Sequence, residues 1–296
     1  MTDDTKHISV CVCTYKRPAP LRRLLETLEH QETGGRFTYS IVVADNDSSQ
    51  SAKAVVSDFA ATSSTPIRYC LQPRRNIALT RNTAIENAHG EFIAFIDDDE
   101  FATRRWLLTL FEACNRYAAD GVLGPVKPHF DEEPPKWISK GKFFDRPTHR
   151  TGQLLDWSQT RTGNVLLKRQ LFAGESQPFR PEFLSGEDQD FFRKMMNNGR
   201  TFVWCNEAVV YEVVPPVRWK RGFLVRRALH RGAFTPAPPP IAKSVIAVPA
   251  YASALPVALV LGQARFMGCV CRLFYHVGRI VALLRINPIR ESYPTY

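Results

Sequence analysis

The 296-residue chain contains no Cys-x-x-Cys pair. Its seven cysteines, at positions 11, 13, 70, 114, 205, 269 and 271, are odd in number and scattered. That argues against a zinc site or a disulfide framework, and for a reducing compartment. Cys11 and Cys13 alternate along an apolar run, where thiols act as small core residues. Met1–Lys6 shows no basic segment leading into an apolar run, so no secretory signal is expected. In that setting the glycosylation sequon Asn46-Asp47-Ser48 carries no weight. There is neither a G-x-G-x-x-G stretch nor a P-loop, and no internal repeat. Acidic residues are almost missing from the tail: from Arg218 onward twelve Lys/Arg face one acid, Glu291. The tail therefore holds +11 of a net +10, and the first 217 residues sit at −1. A basic tail suits anionic lipid headgroups or nucleic acid.

What is present is ordinary for a globular protein: 44% apolar and 23% charged residues. Apolar runs at Ile8–Cys13, Tyr39–Ala44, Ile67–Leu71, Phe92–Ile96 and Gly121–Val126 read as buried strands. Between them, helical spacing runs from Pro18 to about Gln31, and over about Ala52–Ala60, Ile77–Ala88 and Trp106–Ala118. Strands alternating with helices imply an α/β fold with a mostly parallel sheet covered on both faces. Lys127–Thr160 breaks the pattern with prolines and aromatics, and reads either as a lid or as an insertion with its own apolar cluster. Regular structure resumes at Gly163–Leu167, a helix near Asp188–Asn197, and strands at Thr201–Cys205 and Val209–Tyr211. Pro236–Pro240 signals a linker. After it, Ser244–Gln263 carries no charge. Then Arg265, Arg272, Arg279 and Arg285 recur through apolar sequence. Helices in or on a membrane, or two helices packed on the body, both fit. A nucleic-acid surface would carry few uncharged apolar runs, so the Ser244–Gln263 run points to lipid and no nucleic acid partner is expected.

Ligands of such sheets lie beyond the carboxyl ends of the strands. Thr14-Tyr15-Lys16-Arg17, Asp45-Asn46-Asp47 and Asp97-Asp98-Asp99-Glu100 stand at those ends and should converge. Adjacent carboxylates repel one another, and a hard divalent cation removes the difficulty. The rival reading is that Asp99 or Glu100 caps a helix starting near Thr103. Asp45 reads as a ribose or base acceptor, or as a turn residue. Arg74, Arg75 and Arg81, with Asn76 and Asn82, can donate to phosphates, or form a solvated face. Gly186-Glu187-Asp188 reads as a general base or as a helix N-terminus.

Val10-Cys11-Val12-Cys13-Thr14-Tyr15-Lys16-Arg17-Pro18, Val42-Val43-Ala44-Asp45-Asn46, Arg81-Asn82, Phe95-Ile96-Asp97-Asp98-Asp99 and Gly186-Glu187-Asp188 follow one another as in family 2 glycosyltransferases. The chain resembles that family over roughly residues 8–232, closest to bacterial members that build exopolysaccharide repeat units. The resemblance implies a GT-A (Rossmann-like) fold and an inverting single displacement. It implies nucleotide-sugar contacts from Thr14, Tyr15, Arg17, Asp45, Asn76, Arg81, Asp97 and Asp98. It implies that Asp97 and Asp99 hold a divalent cation (Mg²⁺ or Mn²⁺), with Asp99 the direct ligand. Asp188, beside Glu187, would be the catalytic base, and Arg161-Thr162-Gly163-Asn164 would line the donor-sugar pocket. Two positions depart from the pattern. Asp47 stands where the second motif often has Gly, and Pro215-Pro216-Val217-Arg218-Trp219 has proline where processive members have Gln. The second favours addition of a single sugar.

The expected organisation is a catalytic domain over 1–235, its nucleotide-sugar half about 1–127 and its acceptor half about 128–235. A linker and membrane-associating helical tail would fill 236–296. The expected reaction moves one sugar from a UDP-sugar to a lipid-linked glycan at the cytoplasmic face of the inner membrane. A nucleotidyltransferase is the enzymatic alternative, though it would usually carry a Gly-rich loop after the first strand. A non-catalytic basic membrane-binding module is the other.

Overall fold

The computed structural model describes residues 6–183, 185–234 and 240–283. In chain order the first elements are β1 (Lys6–Thr14), α1 (Pro18–Glu29), β2 (Phe37–Asp45), α2 (Lys53–Thr62), β3 (Ile67–Leu71), α3 (Ile77–Asn87) and β4 (Phe92–Ile96). There follow β5 (Glu100–Ala102), α4 (Trp106–Arg116), β6 (Gly121–Leu123), β7 (Val126–His129), α5 (Lys136–Gly141) and β8 (Asn164–Lys168). Then come α6 (Glu187–Asn197), β9 (Phe202–Trp204), β10 (Val210–Val213), α7 (Arg221–Ala233), α8 (Ile241–Val260) and α9 (Gln263–Leu283).

Two compact units result, one of residues 1–127 and 146–213, the other of 128–145 and 214–296. The division differs from the expected boundary at 235. The physical reason is a separate apolar cluster of Ile138, Phe144, Val214, Leu224 and Met267, which draws the aromatic insertion to the tail segment. Residues 128–145 thus share an apolar cluster with the tail segment.

The first unit is built on a seven-stranded sheet in the order β3-β2-β1-β4-β8-β6-β9. β1 pairs in parallel with β2 and β4, and β2 with β3. β8 runs antiparallel between β4 and β6, and β9 is parallel to β6. The inner strands are apolar throughout because both their faces are covered. Ile8, Val10 and Val12 of β1 join Leu21, Leu24, Leu25 and Leu28 of α1 and Trp106 of α4 on one face. Cys11 points to the other face, with Val42, Phe95, Phe179 and Phe191. Alternate residues thus feed opposite layers, as the twofold period of a strand requires. Pro18 occupies the first turn of α1, where its missing N–H costs nothing. Separately, β10 pairs antiparallel with β5.

In the second unit, α9 packs against α7 and α8. A Cβ on Gly278 would lie 2.2 Å from the Leu229 carbonyl oxygen, and one on Gly232 would lie 2.0 Å from that of Tyr275. Only glycine lets α7 and α9 approach so closely. α8 turns back on α9 at Leu261-Gly262. Its Ser244 hydroxyl meets His276 at 3.0 Å and accepts from Arg279 at 2.6 Å. The uncharged run therefore continues as helix through Pro249 and Pro256. α8 and α9 are each long and apolar enough to cross a membrane, with mean hydropathy 1.5 and 1.4. α8 leaves Val257, Leu259 and Val260 exposed. Pro236–Pro239 of the linker signal and Arg285 lie outside the described residues.

Candidate active site

The acidic run is a turn between two strands. β4 ends at Ile96, the Glu100 N–H donates to the Asp97 carbonyl at 3.1 Å, and β5 starts at Glu100. It caps no helix: α4 begins at Trp106 behind Arg105, with no side-chain cap. The four acids then separate by surroundings. Asp98 turns toward β1, where it accepts from the Thr14 hydroxyl at 2.8 Å and from Arg17 at 3.0 Å. Burial still pushes it up to about 7, against the pull of Arg17. Arg17 also reaches Asp99 at 3.2 Å. Asp97 is pushed up to about 6, first by burial and then by Asp99. Glu100 accepts from the Asp97 N–H at 3.2 Å through one oxygen. Its other oxygen is buried without a hydrogen bond among the described residues, and burial followed by Asp97 holds its pKa well up.

Space here is kept open by Gly163. A Cβ at that position would stand 2.9 Å from Asp97 Oδ2 and 3.1 Å from Glu100 Oε1. Positive charge comes from Arg146, which is ion-paired with Glu212 and attracted by Glu100 and Asp97. Neither Arg146 nor Glu212 sits in a pattern that marks it in the sequence.

The second acidic pair is divided between two jobs. Both residues lie in the first turn of α6, behind Gly186 at φ +84°. Glu187 is buried in an ion pair with Arg81 of α3. Burial opposes the Arg81 charge, but Glu187 and then Asp188 outweigh it. Glu187 is thus the countercharge of a buried arginine, not a free acid. Asp188 is half-buried and accepts from the Gln189 N–H at 2.8 Å. Both the Arg81 and Arg161 charges feel it.

Other expected contacts turn inward. Asp45 is fully buried. It accepts from the Asp47 and Ala52 N–H groups, each at 2.9 Å, and from the Tyr69 hydroxyl at 3.1 Å. It holds its own turn, as its turn chemistry allows. Asn76 caps α3, accepting from Leu79 N–H at 3.0 Å, and donates to the Pro181 carbonyl at 2.9 Å. Tyr15 lies under the Arg75 guanidinium at 4.8 Å. Thr14, Arg17, Asp97, Asp98 and Asp99 are therefore brought together, and Arg81, Glu187 and Asp188 form the neighbouring group.

Among the described residues no three His, Cys, Asp or Glu side chains gather around a metal-sized point. Mg²⁺ commonly takes one or two carboxylates and leaves the rest to waters and substrate phosphates. Asp97 and Asp99 fit an ion delivered with a diphosphate, not a protein cage.

The sheet, covered on both faces and with the acidic turn beyond its carboxyl edge, has the GT-A fold of its structural neighbours. Residues 9–172 match glycosyl transferase family 2, and the chain belongs to that family. It is 35% identical over 237 residues to the succinoglycan biosynthesis protein ExoM of Rhizobium meliloti, covering 78% of this chain and 75% of that one. It is 28% identical over 110 residues to a Campylobacter jejuni GalNAc(5)-diNAcBac-PP-undecaprenol beta-1,3-glucosyltransferase, covering 36% of this chain and 34% of the relative. Among solved structures, the Pyrobaculum calidifontis mannosyltransferase PcManGT in complex with GDP-Man and Mn²⁺ superposes with TM-score 0.66 at 17% identity, covering 96% and 89% of the two chains. S. aureus TarS 1-349 in complex with UDP gives TM-score 0.55 at 16% identity, covering 96% and 93%. Asp188 lies outside the segment that matches the family.

Proposed function

We propose that this chain transfers one sugar from a uridine-diphosphate sugar to a lipid-linked glycan during polysaccharide synthesis, inverting the anomeric centre. One observation carries the reading: Asp97 and Asp99 stand beyond the carboxyl edge of the sheet, and Asp188 stands beside the same buried arginine, Arg81. Support comes from the succinoglycan relative and from the UDP bound by the TarS neighbour.

A divalent ion on Asp97 and Asp99 would stabilise the charge that develops on the leaving diphosphate. Asp188 takes the proton of the acceptor hydroxyl as its oxygen attacks the anomeric carbon from the face opposite the diphosphate. The bond to the diphosphate oxygen breaks, and the nucleoside diphosphate leaves with the bonding pair. Glu187 holds Arg81, and Arg81 adds positive charge beside Asp97. Arg17, held by Asp98 and Asp99, adds positive charge at the same turn. α8, uncharged from Ser244 onward, and basic α9 suit attachment to the anionic cytoplasmic face of a membrane.

The test measures UDP binding and sugar transfer on one protein. Asp188→Asn is expected to keep UDP affinity and to lose transfer by about 10²- to 10⁴-fold. An Asp188→Asn protein with native transfer would remove Asp188 as the base. Native turnover in EDTA would remove the metal.

A further inference from the structure

A pocket of about 210 Å³ opens within the first unit, beside the acidic turn. Its walls include Gly124, Arg146, His149, Arg161 and Trp204. At ~30 Å³ for each water in the liquid, the space matches roughly seven waters, the scale of one sugar ring.

Two features of the walls are unfinished. The first is charge. Arg146 and Arg161 share the pocket and repel each other, and Arg146 is neutralised by Glu212. Arg161 makes no hydrogen bond or ion pair among the described residues. It stays open to solvent at the mouth while protein surrounds it on most sides. Burial, then the Arg146 charge, lowers its pKa, and the pull of Asp188 offsets this only in part. Arg146 is paired directly with Glu212 and feels Glu100 and Asp97 as well, whereas Arg161 feels Asp188 from a distance and is ion-paired with no carboxylate among the described residues. The second feature is a hydrogen bond. The Trp204 indole N–H is buried with no acceptor among the described residues, and its ring meets His149 edge-on at 5.0 Å. Trp204 lines the pocket, so this unmatched donor stands beside the space a polar ligand would fill.

We propose that this pocket is a saccharide subsite selective for an acidic sugar, with Arg161 binding the carboxylate and the Trp204 indole N–H donating to a ring substituent. A guanidinium matches a carboxylate through two parallel hydrogen bonds. A neutral hexose leaves Arg161 as it is now. The inference rests on the sugar-transfer reading. The carboxylate belongs either to the donor sugar or to the terminal residue of the acceptor, and the chemistry of the subsite is the same in both cases.

Calorimetric titration of the full chain with Mn²⁺ separates the possibilities. The donor pair is UDP-glucuronate against UDP-glucose, and the acceptor pair is methyl glucuronide against methyl glucoside. The acidic member of one pair is expected to bind roughly 10- to 100-fold tighter than its neutral partner. The pair that shows the gap assigns the carboxylate. Arg161→Gln should close the gap, and Arg161→Lys should restore part of it. Equal affinities within both pairs would overturn the proposal. So would an Arg161→Gln protein whose affinity for UDP itself falls as far as that for the acidic ligand, because Arg161 would then serve the diphosphate. If UDP does not bind the native chain, the transfer reading fails instead, and the methyl glycoside pair still decides the pocket.

Discussion

At the amino ends of the parallel strands His7, Ser9 and His89 bind one another's surroundings in a closed set of hydrogen bonds. His7 donates its backbone N–H to Glu91 at 2.8 Å, and its ring bridges Thr38 and Ser40 at 2.7 and 2.9 Å. The Ser9 hydroxyl donates to the His89 carbonyl at 2.8 Å and accepts the His89 N–H at 3.0 Å. The His7 and His89 rings stack at 4.4 Å. At the carboxyl ends the same sheet gathers Asp97, Asp98, Asp99 and Glu100, raises the pKa of three of them, and leaves Glu100 Oε1 without a hydrogen bond among the described residues. One end has polar residues that stabilise the fold. The other has polar residues whose arrangement the fold alone does not justify, and such places mark function.

The comparison can be broken by exchanging charge for shape at each end. The largest effect is expected at Asp97. Asp97→Asn should cost about 10²-fold or more in transfer. In EDTA at neutral pH it should melt above the native chain, because burial and Asp99 penalise the native carboxylate by about 1–3 kcal/mol. Lower thermal stability in EDTA would show that Asp97 belongs to the scaffold after all. Next comes Asp45, an acid at the carboxyl edge that is already satisfied. Asp45→Ala leaves two backbone N–H groups and the Tyr69 hydroxyl without their acceptor, and should cost about 2–4 kcal/mol in denaturant unfolding. At the amino end, Ser9→Ala should cost about 1 kcal/mol, since it removes a buried hydroxyl that bonds both the His89 N–H and its carbonyl, with transfer per folded molecule unchanged. Loss of transfer there would break the distinction between the ends.

The smallest effect is a pH dependence at His7. Burial first, and the His89 ring second, lower its pKa, so the folded chain favours the neutral ring. The contribution is then complete above the ordinary value of about 6.5 and falls away as pH drops below it. Melting temperature measured from pH 8 to pH 5 should decline on the acid side, and His7→Asn should flatten that part of the curve.

Asp45 and Asp97 show where sequence reasoning stops. Each is an aspartate that closes a buried strand, and both read alike as ligands of a bound nucleotide. What separates them is whether other backbone reaches them: the Ala52 N–H folds back onto Asp45, and Tyr69 arrives from the next strand. Strand and helix positions were legible because β1, β2 and β4 are apolar on both faces, and because Leu21, Leu24, Leu25 and Leu28 keep helical spacing. The pairing of Arg81 with Glu187 spans 106 positions and carries no local signal. Arg146, in a proline-rich stretch, carries none either.

That long-range pair also bears on the order in which the chain is made. Synthesis delivers the amino-terminal part first. When residue 172 has emerged, the whole family-matching segment exists. Yet Arg81 lacks its ion-pair partner Glu187, β6 has no β9 beside it, and β5 has no β10. A protein cut at that point would carry the recognisable signature and an Arg81 left with the more distant charge of Asp97. The segment that identifies the family is therefore expected to be a poor folding unit by itself, which limited proteolysis of a 1–172 fragment would check, and the first unit is complete only with residues 173–213.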